Sequence, residues 1–196
     1  MADILGEAEA LAKAMLGGGL AHGYPHVARV RRYAWLIVEA EGLSVDPLVL
    51  NLAVLLHDVG RPLGEPHAKL SADFAEAFLT GRLGEERRRR VLNAILYHSY
   101  SYSRRAGIRP LGPEALVLSD ADKLDALGIV GFTRVFLHGC ETGRGVEESL
   151  RHFEEKILKL RPLLHYEYSR RLAGELEGRV RAALKWFAEE SGLPQP

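Results

Sequence analysis

Apolar positions recur at helical spacing along almost the whole chain, and no stretch shows the strict alternation of a half-buried strand. Residues 3–16 form a short amphipathic run closed by Gly17-Gly18-Gly19. Pro25 suits the first turn of a second helix that reaches about Glu41 and stops at Gly42. Asp46 is a good N-cap with Pro47 just inside it, and the helix begun there carries LVLNLAVLL and ends at Gly60. A segment apolar on nearly all sides predicts a buried central helix. Two more helices are expected over about 66–80, closed by Gly81, and about 84–99. Residues 100–113, with Gly107, Pro110, Gly112 and Pro113, read as a loop. Another helix begins near Glu114 and carries SDADKLDALG, and Gly128 and Gly131 interrupt or bend the segment after it. A glycine-rich, exposed segment is expected at 139–145, and then a strongly helical tail over about 146–190. The pattern predicts an all-α fold: a single globular helical bundle over residues 1–196, with its core at about 20–138 and the tail as a helical extension.

Composition narrows the setting. Hydrophobic residues make up 47% of 196 positions, which supports a folded core and excludes a disordered chain. Lysine plus arginine equals aspartate plus glutamate at 26 each, so net charge supplies no general attraction to nucleic acid or an anionic membrane. Cys140 is the only cysteine, which excludes an intrachain disulfide and a cysteine zinc ribbon. The start, MADILGEAEALAKAM, carries acids and has no long apolar core, so it does not read as a signal peptide. The expectation is a cytoplasmic protein with no membrane partner and with its oligomeric state open. The run EERRRR at 85–90 reads as a solvated helix face with local pairing, and phosphate binding is the lesser reading.

Four places admit a chemical reading beside a structural one. His57-Asp58 ends the buried apolar helix, where an uncompensated carboxylate is costly and a cation would compensate it. Taken alone, the pair also fits a helix C-cap followed by a turn. His22 and His26 flank Pro25, so both can reach the mouth of the same helix, although each could equally be a surface histidine. Asp120, Asp122 and Asp125 follow the apolar run ALVL, and helical spacing puts Asp122 and Asp125 on one face while Asp120 or Ser119 could cap. His67 opens one predicted helix and His98 closes another, and each taken alone fits a surface or capping histidine better.

The ordered pattern of His26, then His57-Asp58, then Asp122 resembles the HD superfamily of metal-dependent phosphohydrolases. HVARV is similar to the family's first histidine segment, LLHDVGRP to its hallmark helix end, and SDADKLDALG to its final aspartate segment. The resemblance covers about residues 22–136, and GIVGFTRVF and HFEEKILKL look like a small prokaryotic subgroup of uncharacterised HD hydrolases. It implies His26, His57, Asp58 and Asp122 as ligands of a divalent cation: manganese, iron, nickel, cobalt, zinc or magnesium. It favours Asp122 over Asp120 from its Ala-Asp-basic-Leu context. His67 and His98 fall where binuclear members carry further ligands, yet Ser99 stands where one branch has a tandem histidine. The expectation is therefore one cation, with His67 and His98 facing substrate.

The implied activity is hydrolysis of a small phosphate ester or nucleotide by a phosphatase or phosphodiesterase. Asp58 would position the attacking water, and His22 or Asp125 would carry protons. Lys123 and Arg61, with His67 and His98, would bind substrate, and Arg104, Arg105 and Arg109 are further cationic candidates. The rival readings are a di-iron oxygenase of the same fold and a non-catalytic nucleotide-binding regulatory module. A nuclease ranks lower because the chain is neutral.

Overall fold

The protein is described by a computed structural model covering residues 3–193. Every regular element among the described residues is helical, and the chain divides into two compact units, Met1–Asp122 and Lys123–Pro196.

In the first unit, α1 (Ile4–Leu16), α2 (Tyr24–Ala40), α3 (Pro47–Leu56), α4 (His67–Leu79), α5 (Glu85–His98) and α6 (Tyr100–Ala106) precede α7 (Pro113–Asp125), whose residues up to Asp122 belong to this unit. The helix α3 is the centre, with every residue from Val49 to Leu56 buried. It packs against α1, α2, α4 and α5. A helix wetted on no side must be surrounded, and its ends are secured accordingly. Asp46 caps it by accepting from Leu48 N and Val49 N at 3.0 and 3.3 Å. The buried Glu114 of α7 accepts from Asp46 N at 2.7 Å and from Arg90 of α5. That carboxylate ties the starts of α3 and α7 together. Arg87 reaches the Asp46 carboxylate at 2.7 Å, while Arg88 and Arg89 pair with Glu85 and Glu86 on their own helix. The EERRRR run is thus a paired helix face, two of whose arginines also clamp helix ends.

In the second unit, α8 (Gly128–Glu141) packs on α9 (Val146–Glu155) and α10 (Glu167–Ser191). Its core includes stacked pairs Phe132–Phe153 and Phe136–Phe187, each with ring centroids 5.4 Å apart.

Four boundaries differ from the sequence expectation. Tyr100–Ala106 is helical rather than loop, because the breakers cited for a loop all lie at 107–113; Gly107 ends α6 in the left-handed conformation at φ 66. The helix α3 stops at Leu56, short of Gly60. The glycine-rich segment shortens because α8 continues through the buried Gly139 to Glu141. The tail is broken between α9 and α10 by 3-10 turns at Ile157–Lys159 and Arg161–Leu163, the second holding Pro162 in its first turn.

Candidate metal centre

The site forms in the first unit where α3 ends. His57 is the C-cap residue of α3, and Asp58 comes next in the turn, 1% exposed at the bottom of the unit's core. Gly60 allows that turn to lie on α4. A Cβ there would stand 2.4 Å from Ser71 N and 2.6 Å from Leu70 C, and Gly60 N instead donates to Ser71 Oγ at 2.9 Å. Gly23 has a similar duty before α2. A Cβ on it would stand 2.2 Å from Gly19 O, and as N-cap it starts the helix that presents the buried His26.

Four side chains from three elements converge. His26 Nε2 lies 3.2 Å from His57 Nε2, 3.4 Å from Asp122 Oδ1 and 3.7 Å from Asp58 Oδ2. His57 Nε2 lies 3.9 Å from the same Asp58 oxygen. Ligands about 2.1 Å from a shared ion stand about 3.0–3.4 Å apart at octahedral to tetrahedral angles, so the two closest separations suit a common cation. A second group shares Asp58: His67 Nε2 and His98 Nε2 lie 3.7 and 3.8 Å from Asp58 Oδ1. The atoms of His26, His57 and Asp58, and those of Asp58, His67 and His98, each cluster tightly enough to hold a metal ion.

The imidazoles are oriented so that they could serve as ligands. Nδ1 of His57 donates to the Val54 carbonyl at 2.8 Å, and Nδ1 of His98 donates to the Ile95 carbonyl. A carbonyl only accepts, so each ring carries its proton on Nδ1 and turns the Nε2 lone pair inward. The Glu65 carboxylate does the same for His67, 3.1 Å from Nδ1. Burial holds the His57 pKa below the ordinary histidine value, and it pushes that of His98 down to about 3, so both rings stay neutral near pH 7. Burial alone would raise the Asp58 pKa. His57 and Arg61, followed by His26 and His98, outweigh it and hold the carboxyl well below its usual range. Asp122 behaves alike: burial raises it, and the hydrogen bond to His26 leads the effects that win. Inward-facing lone pairs and ionised carboxylates form a donor set that fits a divalent cation.

The remaining sequence candidates take varied positions. Arg61 grips Asp58 with two nitrogens, Nε at 2.9 Å from Oδ2 and Nη2 at 3.2 Å from Oδ1. The His22 ring stands edge-on to His26 with centroids 6.5 Å apart. Asp120 is fully buried in the middle of α7, so neither it nor Ser119 caps that helix, which starts at Pro113. Asp125, in the second unit, gives its carboxylate to Arg134 at 2.6 Å, and Lys123 is 5% exposed. Glu65 and Ser71 shape the site and are not singled out by the sequence pattern, whereas Gly60 is read there only as the residue that ends the central helix. The glutamate two residues before His67 is the available sign of the first.

Residues 23–127 match the HD domain family, and the chain belongs to it. It is 30% identical to the uncharacterized protein YpgQ of Bacillus subtilis over 159 residues, covering 79% of this chain and 77% of YpgQ. The crystal structure of Bacillus subtilis YpgQ in complex with ADP superposes with a TM-score of 0.72 at 24% identity, over 95% of this chain and 92% of that one. A Lactobacillus plantarum protein gives a TM-score of 0.80 at 23% identity over 98% of both chains. An HD-superfamily hydrolase from Bacillus thuringiensis gives 0.68 at 27% identity over 97% of both. The fold is that of HD-superfamily hydrolases, with His/Asp clusters that could hold a metal. Among the described residues no helix is long and apolar enough to cross a membrane.

Proposed function

We propose that the protein is a metal-dependent phosphohydrolase acting on a small phosphate ester, with nucleotides the favoured class. The observation that carries this reading is the meeting of His26 Nε2, His57 Nε2 and Asp58 Oδ2, with separations of 3.2–3.9 Å, at the buried end of α3, with Asp122 Oδ1 3.4 Å from His26 Nε2. A divalent cation held there supplies Lewis acidity, which acidifies water and polarises a phosphoryl oxygen. The chain's own groups do the rest. Asp58, held ionised, accepts a hydrogen bond from the attacking water and orients it. His22, whose ring stands edge-on to that of His26, carries the proton. Asp125 gives its carboxylate to Arg134 within the second unit, so the proton-carrying role falls to His22. Arg61 has used Nε and Nη2 on Asp58 and His67, which leaves Nη1 to meet a phosphate oxygen. His67 and His98 complete the proposed substrate-binding set.

Two observations support nucleotides within that class. The relative YpgQ crystallised with ADP. In this chain α6 begins two residues after His98 and pairs aromatic with cationic groups: the Arg104 guanidinium lies 5.6 Å from the Tyr100 ring centroid and that of Arg105 5.9 Å from Tyr102. Tyr100 is 42% exposed, so its ring is open to a base.

The test is a turnover screen of metal-stripped protein reloaded with each candidate cation, against nucleoside mono-, di- and triphosphates, sugar phosphates and an aryl phosphate. Cation-dependent phosphate release is expected. No release in any combination would overturn the reading and favour a nucleotide-binding regulatory module. The second triad, sharing Asp58, is the one observation favouring a di-iron oxygenase. Iron content with substrate-dependent oxygen consumption decides that alternative.

A further inference from the structure

The second triad is already in contact with a cation of the chain's own. Arg61 Nη2 lies 3.2 Å from Asp58 Oδ1 and 3.2 Å from His67 Nε2, two of the three atoms that a second metal would need. The contact to His67 has a defined polarity. Because Glu65 takes the proton on His67 Nδ1, the Nε2 lone pair accepts from the guanidinium. Arg61 Nε meanwhile donates to Asp58 Oδ2 at 2.9 Å, so the fork spans both carboxylate oxygens. Oδ2 keeps its other lone pair toward His26 and His57.

We propose that Arg61 is the built-in second cation of this site: its guanidinium neutralises the Asp58–His67–His98 lobe and restricts the chain to one metal ion, held on the His26–His57–Asp58–Asp122 side. The inference rests on the metal-dependent reading above. Its geometric basis is that ligand bonds of about 2.1 Å would bring any ion bound to both Asp58 Oδ1 and His67 Nε2 within about 4 Å of Nη2. A dication and a guanidinium repel strongly at that separation in a partly buried site. The second ion could enter only if Arg61 withdrew from Asp58. Arg61 lies three residues beyond Asp58, which places it on the first 3-10 turn after α3 and in reach of both oxygens. The arginine therefore acts on metal count, a property that neither ligand triad determines alone.

The experiment is metal analysis by mass spectrometry, with calorimetric titration of manganese, on the untagged parent, Arg61→Met, Arg61→Lys and Arg61→Met/His98→Ala. The parent should bind one equivalent and Arg61→Met two, with the double variant back at one. Arg61→Lys keeps the charge and should stay at one. Circular dichroism checks that each variant is folded. Two equivalents in the parent would overturn the proposal whatever the variants do, and so would a folded Arg61→Met that stays at one. No metal in any of the proteins would instead sink the metal-dependent reading itself, a result distinct from both.

Discussion

Replacing Gly60 by alanine should destabilise the protein and loosen its metal centre, although the backbone there is one that alanine adopts freely. Gly60 has φ −81 and ψ −9, an ordinary right-handed conformation. In open space such a change stabilises by about 0.4–1 kcal/mol, by restricting the unfolded chain. Space decides the sign here. The new Cβ would sit 2.4 Å from Ser71 N, 2.6 Å from Leu70 C and 2.7 Å from Leu70 Cβ, so two of its three nearest neighbours are backbone atoms of α4 that cannot turn aside. Relief needs the turn to lift off α4, which strains the packing by about 1–3 kcal/mol. Lifting also breaks the buried 2.9 Å bond from Gly60 N to Ser71 Oγ, leaving a donor unsatisfied at about 1–3 kcal/mol. Set against the unfolded-state gain, these costs leave a net loss of about 1–5.5 kcal/mol. Urea unfolding of the metal-free protein measures it, with Ser71→Ala as the variant that loses only the hydrogen bond. Because the same turn holds His57 and Asp58, manganese affinity should fall as well. A Gly60→Ala protein as stable as its parent to within about 0.5 kcal/mol would refute the close approach of this turn to α4.

Asp58→Ala should abolish metal binding and phosphate release while leaving the helical circular dichroism intact; retained turnover in excess manganese would remove Asp58 from the mechanism. Arg134→Met takes from the buried Asp125 its 2.6 Å charge-assisted hydrogen bond, so we expect a loss of about 1.5–3 kcal/mol in thermal or urea unfolding, and less than about 0.5 kcal/mol would contradict it. Stability should also respond to acid. Burial, followed by Arg144 and Lys156, lowers the His152 pKa from 6.5 to about 4. The unfolded chain therefore binds that proton at a higher pH than the folded one, and stability falls as pH drops from about 6.5 toward about 4. His152→Gln should flatten the profile across that window, and an unchanged slope would show that His152 is not responsible.

The site is legible in the sequence where burial and charge collide. A histidine–aspartate pair ending LVLNLAVLL could not be ordinary surface, and the central position of α3 comes from the same run. Spacing along one helix cannot decide what Asp120, Asp122 and Asp125 touch, because their partners arrive from elsewhere: His26 on α2 for Asp122, and Arg134 on α8 for Asp125. Arg61 reads as a loop cation for substrate, since nothing local reveals that a 3-10 turn folds it back on Asp58. Glu65 shows only as an acid two residues before His67, because its contact with that histidine depends on the turn before α4. The helix Tyr100–Ala106 is masked by breakers counted across the whole of 100–113, although the first seven of those residues contain none.

The central claim is that one cation is held by groups up to 96 residues apart in sequence, from His26 to Asp122. Anomalous diffraction from crystals grown with manganese tests it most directly. One strong peak is expected, about 2.0–2.4 Å from His26 Nε2, His57 Nε2 and carboxylate oxygens of Asp58 and Asp122. A map with no peak there, or with the ion bound away from His57 and Asp122, would contradict it.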